Sequence, residues 1–441
     1  MSQGNHMSIF EDLESTVRTY SRSFPATFHK AAGHRIHDTS GRSWIDFLSG
    51  AGALNYGHNP PELIEAVVRY LREGGVITSL DLQTSAKERF LESLQDVVLA
   101  PRELDFVVQF TGPTGTNAVE AALKVARLAT GRRNVVAFTN GYHGVSLGSL
   151  AATGNSEKRA GAGVSLGDTT RIPFDGYLEG FDGLTLLDRM LGDPSSGLDA
   201  PAAIIVETVQ GEGGVNVASP QWLSRLRALC DRHQALLIVD DIQAGCGRTG
   251  SFFSFEQSKI VPDIVCLSKS IGGLGLPLAL LLIRREYDVW TPGQHNGTFR
   301  GNNLAFVAGR EALEVFWRGP ELANEIARNA SLFDDVLGKI ATSYHHRGAA
   351  SRGRGFFRGL RFADPTFVAA VSRQCFEDGL ICETCGPRDE VLKLLPPLTA
   401  DAAVIGEALT VLGDAVQKID LSHPIPTATV LEVNRELRRA H

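Results

Sequence analysis

Between positions 105 and 285 the chain repeats one texture. A short run of almost wholly apolar residues is followed by a loop of small residues and then by a helical pattern. The runs are Phe106–Phe110, Val135–Phe138, Ala203–Val206, Leu236–Val239, Ile264–Leu267 and Leu278–Ile283. A strand with one wet face alternates apolar and polar residues. A run that is apolar at nearly every position is covered on both faces, which is the habit of a parallel sheet clothed by helices. Helical spacing over 117–129 and 221–233 supplies two of those helices. Strand, loop and helix in this order predict an open α/β sheet with right-handed crossovers. Ligands on such sheets bind outside the carboxyl ends of the strands, so the loops after the runs are the places to look for chemistry.

The flanks read differently. Residues 8–60 predict a short helix and a few strands, with a hairpin at Ser40-Gly41 between His34–Asp38 and Ser43–Phe47. Asn59-Pro60-Pro61 predicts a capped helix start, carried by Leu63, Ile64, Val67, Val68 and Leu71 and stopped at Gly74-Gly75. After residue 320 come a helix from Glu321 to Lys339, a glycine-rich stretch around Gly353-Arg354-Gly355, and another α/β pattern to about residue 420. The expected division is an N-terminal segment 1–60 packing with a smaller domain, a large domain over 61–320, and a small domain with a tail over 321–441. The tail holds Pro424 and Pro426 and then a charged helical stretch.

Lysine and arginine number 43 against 50 acidic residues, a net charge of -7. That balance argues against a nucleic-acid partner, because phosphate contacts need a basic surface. No apolar run approaches the length of a membrane span; the longest, Leu276–Ile283, is interrupted by Pro277. The first residues, MSQGNHMSIF, lack a basic region followed by an apolar core, so the expected compartment is the cytoplasm. Cysteines at 230, 246, 266, 375, 382 and 385 form no disulfide framework. Cys382 and Cys385 have CxxC spacing without a second pair, so no metal site is expected.

Three loops carry unusual residues. Thr111-Gly112-Pro113-Thr114-Gly115-Thr116-Asn117 joins an apolar run to a helix. Small residues there let backbone N–H groups approach an anion at the positive helix end, which makes a phosphate seat or, more simply, a capping turn. No lysine stands where a Walker loop needs one. Asp240-Asp241 ends a second run. Such a carboxylate is a solvated strand end, a metal ligand, or a partner for a protonated ring nitrogen. Lys269 ends a third run and precedes a glycine turn. A lone lysine there is usually a solvated end, but desolvation would lower its pKa and make the amine a nucleophile. Phosphate seat, ring-pairing acid and imine-forming lysine together describe pyridoxal 5'-phosphate chemistry.

On these residues the chain resembles the class III (ω-amino acid) aminotransferases of fold type I, over roughly residues 20–420. The motifs stand in order: Tyr142-His143-Gly144; Glu207-Thr208-Val209-Gln210-Gly211-Glu212-Gly213-Gly214; Asp240 to Gln243 continuing to Gly247-Arg248-Thr249-Gly250; Lys269; and Gly297-Thr298-Phe299. The resemblance implies a mainly parallel large domain with a smaller α/β domain, and pyridoxal 5'-phosphate as cofactor. It implies a catalytic set of Lys269, Asp240 and Tyr142. Gly115 and Thr116 hold the phosphate, Asp240 the ring nitrogen and Gln243 the phenolic oxygen, while Ile242 and Tyr142 take the two ring faces. Thr298 reaches the neighbouring subunit's phosphate, so the resemblance also implies a homodimer or a dimer of dimers. Glu212, Lys393 and Glu207 fall on the substrate side.

Within that family the chain is most similar to diaminobutyrate–2-oxoglutarate transaminases of the ectoine-pathway type. The carrying residues are Ser49–Asn59, Gly112–Glu120, Gly141–Val145 and Asp240–Gly247. The implied reaction takes the amino group of glutamate to the aldehyde of aspartate 4-semialdehyde. The competing readings are a transaminase for a related diamine or amino aldehyde in a natural-product pathway, a class III aminomutase, and a non-catalytic homologue. Two positions depart from the broader pattern. Val145 stands where many members have arginine, and Lys393 replaces an arginine in Leu392-Lys393-Leu394-Leu395-Pro396-Pro397-Leu398. In the family that arginine pairs with the acid corresponding to Glu212.

Overall fold

The computed structural model describes residues 8–423. Seven strands form the main sheet, in the order Phe106–Phe110, Leu280–Arg284, Ile264–Leu267, Leu236–Asp240, Ala203–Val206, Val135–Phe138, Thr169–Ile172. All neighbouring pairs are parallel except those of Leu280–Arg284, which runs against both of its neighbours. The sheet is therefore mainly parallel, with one reversed strand. Its edge strand Thr169–Ile172 was not among the apolar runs, because only Ile172 in it is buried.

Alternate residues of the central strands serve two cores, as the period of two requires. Ile205, Ile238, Ile264, Cys266, Leu281 and Ile283 point to one face, where Ala118, Ala121, Ala122, Val125 and Ala126 of the helix Gly115–Thr130 cover them. Small alanine side chains let that helix lie close to the sheet. Ile204, Val206, Leu237, Val239, Val265 and Leu282 point to the other face, into a core rich in phenylalanine that includes Phe90, Phe110, Phe252 and Phe306. There the helix Asn303–Trp317 packs on Ser85–Ser93 and on Pro61–Arg72.

Two smaller sheets stand beside the main one. The first orders Phe28–Ala32, Arg35–Asp38, Ser43–Asp46 and Leu380–Ile381, so N-terminal strands pair with one from near the C-terminus. The turn between Asp38 and Ser43 falls where a hairpin is expected. The second is wholly antiparallel: Ala350–Arg354, Phe357–Arg361, Val391–Leu394, Glu383–Cys385. The helices Glu321–Ser343, Pro365–Glu377 and Ala402–Ser422 pack together on this side. The charged helical stretch expected in the tail lies outside the described residues. Among the described residues no helix is long and apolar enough to cross a membrane.

One local expectation fails. Asn59 does not cap the helix Pro61–Arg72; Pro60 holds that position. Asn59 adopts φ +51° and donates its side-chain amide to the Ala31 carbonyl at 2.9 Å, tying the helix entry to the first strand.

Candidate active site

Lys269 follows the strand Ile264–Leu267 and sits at φ +54°, a left-handed conformation that a residue with a Cβ rarely adopts. The turn is pinned on both sides. Ser268 Oγ donates to the Leu278 carbonyl at 2.9 Å, and Ser270 Oγ to the Gly52 carbonyl at 2.7 Å. Lys269 Nζ donates to the Ala51 carbonyl at 2.7 Å. Burial lowers its pKa to about 8, with Glu212, Glu383 and Asp240 partly opposing that effect. The result is an amine whose neutral, nucleophilic form is far more populated near neutral pH than that of an ordinary lysine.

Asp240 ends the adjacent strand and is buried. Its Oδ1 accepts from the Ile242 amide at 3.2 Å, and its Oδ2 meets His143 Nδ1 at 2.8 Å. Burial disfavours the His143 cation, yet the bond and charge of Asp240 outweigh it and raise the histidine pKa. His143 is a supporting residue that sequence reasoning named only as part of Tyr142-His143-Gly144; its partner lies 97 positions away. Asp241 points elsewhere, accepting from the Ser254 amide at 3.1 Å, and burial raises its pKa to about 7.

The loop after Phe106–Phe110 opens the helix Gly115–Thr130, capped by Thr114, whose side chain accepts from the Asn117 amide. Thr116 Oγ1 is bonded to Ser146 Oγ at 2.6 Å and to Ser149 Oγ at 2.5 Å. Glu120, one turn on, accepts from Ser146 Oγ and from the amides of Gly148 and Ser149. It thereby holds the 144–149 loop beside the helix start, a role no sequence signal announced. A Cβ on Gly115 would meet Ile242 Cδ1 at 3.1 Å, so glycine lets Ile242 lie against the seat. Gln243 donates to the Ala51 carbonyl at 2.9 Å, the oxygen that also accepts from Lys269.

Glu207 uses both carboxylate oxygens on backbone amides, those of Tyr142 at 2.8 Å and Gly211 at 3.2 Å. It fixes Tyr142 and the Gly211–Glu212 turn. Burial raises its pKa to about 7. Lys393 is fully buried on Val391–Leu394, with Glu212 Oε1 2.5 Å and Glu383 Oε1 3.0 Å from its Nζ. Burial alone would lower the lysine pKa, but the two acids raise it well above its ordinary value. Glu212 is held below its ordinary value by Lys393 despite burial. Thr298 is exposed, on a loop whose Gly297 lies beside Gly112 of the phosphate seat. Arg300 donates to Asn296 Oδ1 at 3.0 Å, and Val145 is exposed. Lys269, Asp240, Tyr142, Ile242, Gln243, Glu207, Glu212 and Lys393 thus form one linked constellation, and Thr298 lies at its rim.

The residues fit pyridoxal 5'-phosphate. A lysine with a depressed pKa, a buried acid on the next strand, and a helix start at Gly115 against which Ile242 lies suit the group's aldehyde, ring nitrogen and phosphate.

A family model described as "Aminotransferase class-III" matches residues 16–416. A protein of Bordetella parapertussis named diaminobutyrate–2-oxoglutarate transaminase is 54% identical, covering 98% of this chain and 100% of its own. A protein of the same name from Virgibacillus pantothenticus is 49% identical over 94% of this chain and 99% of its own. Among solved structures, the ornithine aminotransferase of Toxoplasma gondii superposes with a TM-score of 0.81 at 26% identity, covering 94% of each chain.

Proposed function

The chain belongs to the class-III aminotransferases, and from that premise we propose that it moves the amino group of L-glutamate to the aldehyde of L-aspartate 4-semialdehyde, giving 2-oxoglutarate and L-2,4-diaminobutyrate. Similarity over nearly the full length, at 54% and 49% identity, to two transaminases of that name supports the substrate pair. The observation that carries the reading is the strand-end constellation of Lys269, Asp240 and the seat at Gly115–Thr116.

Bound pyridoxal 5'-phosphate supplies an electron sink for the carbon that loses its proton. The chain supplies everything else. Lys269 contributes the nucleophilic amine, which then moves a proton at the reacting carbon. Asp240, kept in place by His143 and the Ile242 amide, holds a proton on the ring nitrogen. The helix start at Gly115 and Thr116 takes the phosphate. Ile242 and Tyr142 would hold the ring, with Glu207 keeping Tyr142 in position, and Gln243 would take the phenolic oxygen. Lys393 and Glu212 form a pair that opens to receive a carboxylate of glutamate and closes for the diamine. The lysine lacks a guanidinium's planar fork, so the hold on that carboxylate is a point charge.

The same reading gives a homodimer, with Thr298 completing the partner's phosphate site, and a cytoplasmic enzyme. Exposed Phe299 and Leu80 near that loop support the first. It also divides the chain into 1–60, 61–320 and 321–441, supported by the pairing of Leu380–Ile381 with Ser43–Asp46.

Glutamate with aspartate 4-semialdehyde should yield 2-oxoglutarate and diaminobutyrate in equal amounts. An aminomutase needs no external donor, so turnover without glutamate would refute the reading. Borohydride reduction of the holoenzyme followed by peptide mapping should label Lys269, and Lys269→Ala should lose transamination while keeping its fold. A label on another lysine sinks the assignment.

A further inference from the structure

Arg248 is fully buried, and no acid offsets that burial, which holds its pKa below the ordinary arginine value. Its donors go instead to uncharged oxygens on three separate parts of the chain. One terminal nitrogen donates to the carbonyls of Phe356, at 3.3 Å, and of Pro396; the other donates to Asn55 Oδ1 at 2.5 Å. A buried guanidinium without an anion costs more than an apolar side chain of its volume. What it adds is direction, because its donors lie in one rigid plane. Asn55 is buried too, and carries the contact onward. Its side-chain amide donates to the Cys246 carbonyl at 2.9 Å and its backbone amide to Ser270 Oγ at 3.3 Å, while its carbonyl accepts from the Leu398 amide at 2.6 Å. Ser270 follows Lys269, whose Nζ donates to the Ala51 carbonyl in the same 51–55 segment. Pro396 and Leu398 lie just past the strand Val391–Leu394, which carries Lys393. Phe356 leads into the paired strand, where Gly359 stands opposite Lys393. The packing has no slack, since a Cβ on Gly355 would meet the Thr249 carbonyl carbon at 2.6 Å. Arg248 and Asn55 therefore join the turn that carries the reacting amine to the sheet that carries Lys393.

We propose that Arg248, acting through Asn55, is a positioning residue that fixes the span between Lys269 and Lys393 for the glutamate half of the reaction. This rests on the proposed part of Lys393 in receiving a carboxylate of glutamate. Within one ligand the carboxylate has a limited reach from the carbon that reacts. A cation that binds the one must therefore stand at a set distance from the amine that works on the other. Lys393 is a point charge without a fork, so it cannot by itself hold a displaced carboxylate in line. The frame around it must do so. With the diamine, Lys393 stays paired to Glu212 and the span matters less. Arg248 thus serves one half-reaction more than the other, which a plain structural tie would not.

Arg248→Lys keeps the charge but has a single nitrogen, which cannot serve Asn55 and both carbonyls in one plane. In holoenzyme carrying it, the single-turnover rate with glutamate should fall roughly tenfold relative to that with diaminobutyrate, since a misplacement of about 1 Å can cost a hundredfold. Asn55→Ala cuts the frame at its other end. It should shift the ratio the same way, and stands in if the first variant misfolds. Adding Arg248→Lys to Lys393→Ala should change the ratio no further, because no cation is left to position. An Arg248→Lys enzyme that slows both half-reactions alike, or shifts the ratio equally with and without Lys393, overturns this inference alone. A Lys393→Ala enzyme that keeps the wild-type ratio overturns the carboxylate role of Lys393 and this inference with it.

Discussion

Lys269 combines two unfavourable properties, a left-handed backbone and a desolvated amine. Strain of this kind, of order 1–3 kcal/mol, persists where surrounding structure fixes it, here through Ser268 and Ser270. The amine attacks only when neutral. Burial disfavours the charged form and brings the pKa from 10.5 to about 8. Covalent uptake of pyridoxal phosphate by the apoprotein should therefore speed up with rising pH and level off above about 8. Stopped-flow absorbance from pH 6 to 10 checks this, and a rate still climbing near 10 would mean an ordinary lysine. Lys393 makes the second case. Lys393→Ala should slow the glutamate half-reaction roughly tenfold to a hundredfold more than the diaminobutyrate half-reaction. It also strips the counter-ion from two acids, so denaturant unfolding should show a loss of about 3–5 kcal/mol. Equal losses in both half-reactions would move carboxylate binding to another group, with Arg300 the first to test. Lys393 and Glu212 were legible because each stands in a motif. Glu383, which accepts from the Tyr20 hydroxyl, was not, because neighbours 363 positions apart leave no local pattern.

Helix boundaries show the same division between local and distant causes. The spacing placed a helix over 117–129, whereas it runs Gly115–Thr130, because Thr114 caps it. The apolar periodicity gave the buried face, but only the cap decides where the first turn begins. Thr114→Ala should cost about 1 kcal/mol in denaturant unfolding. Gly115→Ala should instead leave stability nearly unchanged and weaken cofactor retention, since its Cβ would press Ile242 from 3.1 Å. If both variants lose only stability, the helix start is a capping turn and not a phosphate seat. The reversed strand had no legible sign. A strand covered on both faces is apolar throughout in either direction. The stretch from Leu267 to Leu280 contains only the short turn Lys269–Gly272, no crossover helix, so Leu280–Arg284 returns antiparallel.

At the scale of the molecule, the order of apolar runs was enough to give the sheet class and to direct attention to the strand ends. The covering of the surface needed coordinates. Val76, Ile77, Leu80, Leu82 and Phe299 are all exposed, Phe299 at 65%. Backbone bonds from Ser79 to the Gly301 carbonyl and from Asn303 to the Ile77 carbonyl tie the 77–80 segment to the loop that carries Thr298 and Phe299. Exposed apolar residues gathered in this way support the proposed homodimer. In a twofold dimer the patch is used twice, so one substitution removes two contacts. Burying a phenylalanine is worth about 1.5–3 kcal/mol, and Phe299→Asp adds a charge where the partner would lie. The variant should therefore shift the dimer toward monomer by light scattering and release cofactor on dilution, with both changes following one concentration dependence. Thr298→Ala should keep the dimer and weaken cofactor retention alone, because its hydroxyl is expected at the phosphate and not in the contact. A Phe299→Asp monomer that holds pyridoxal phosphate and turns over at the wild-type rate would show that each chain completes its own site, and the dimer would lose its part in the chemistry.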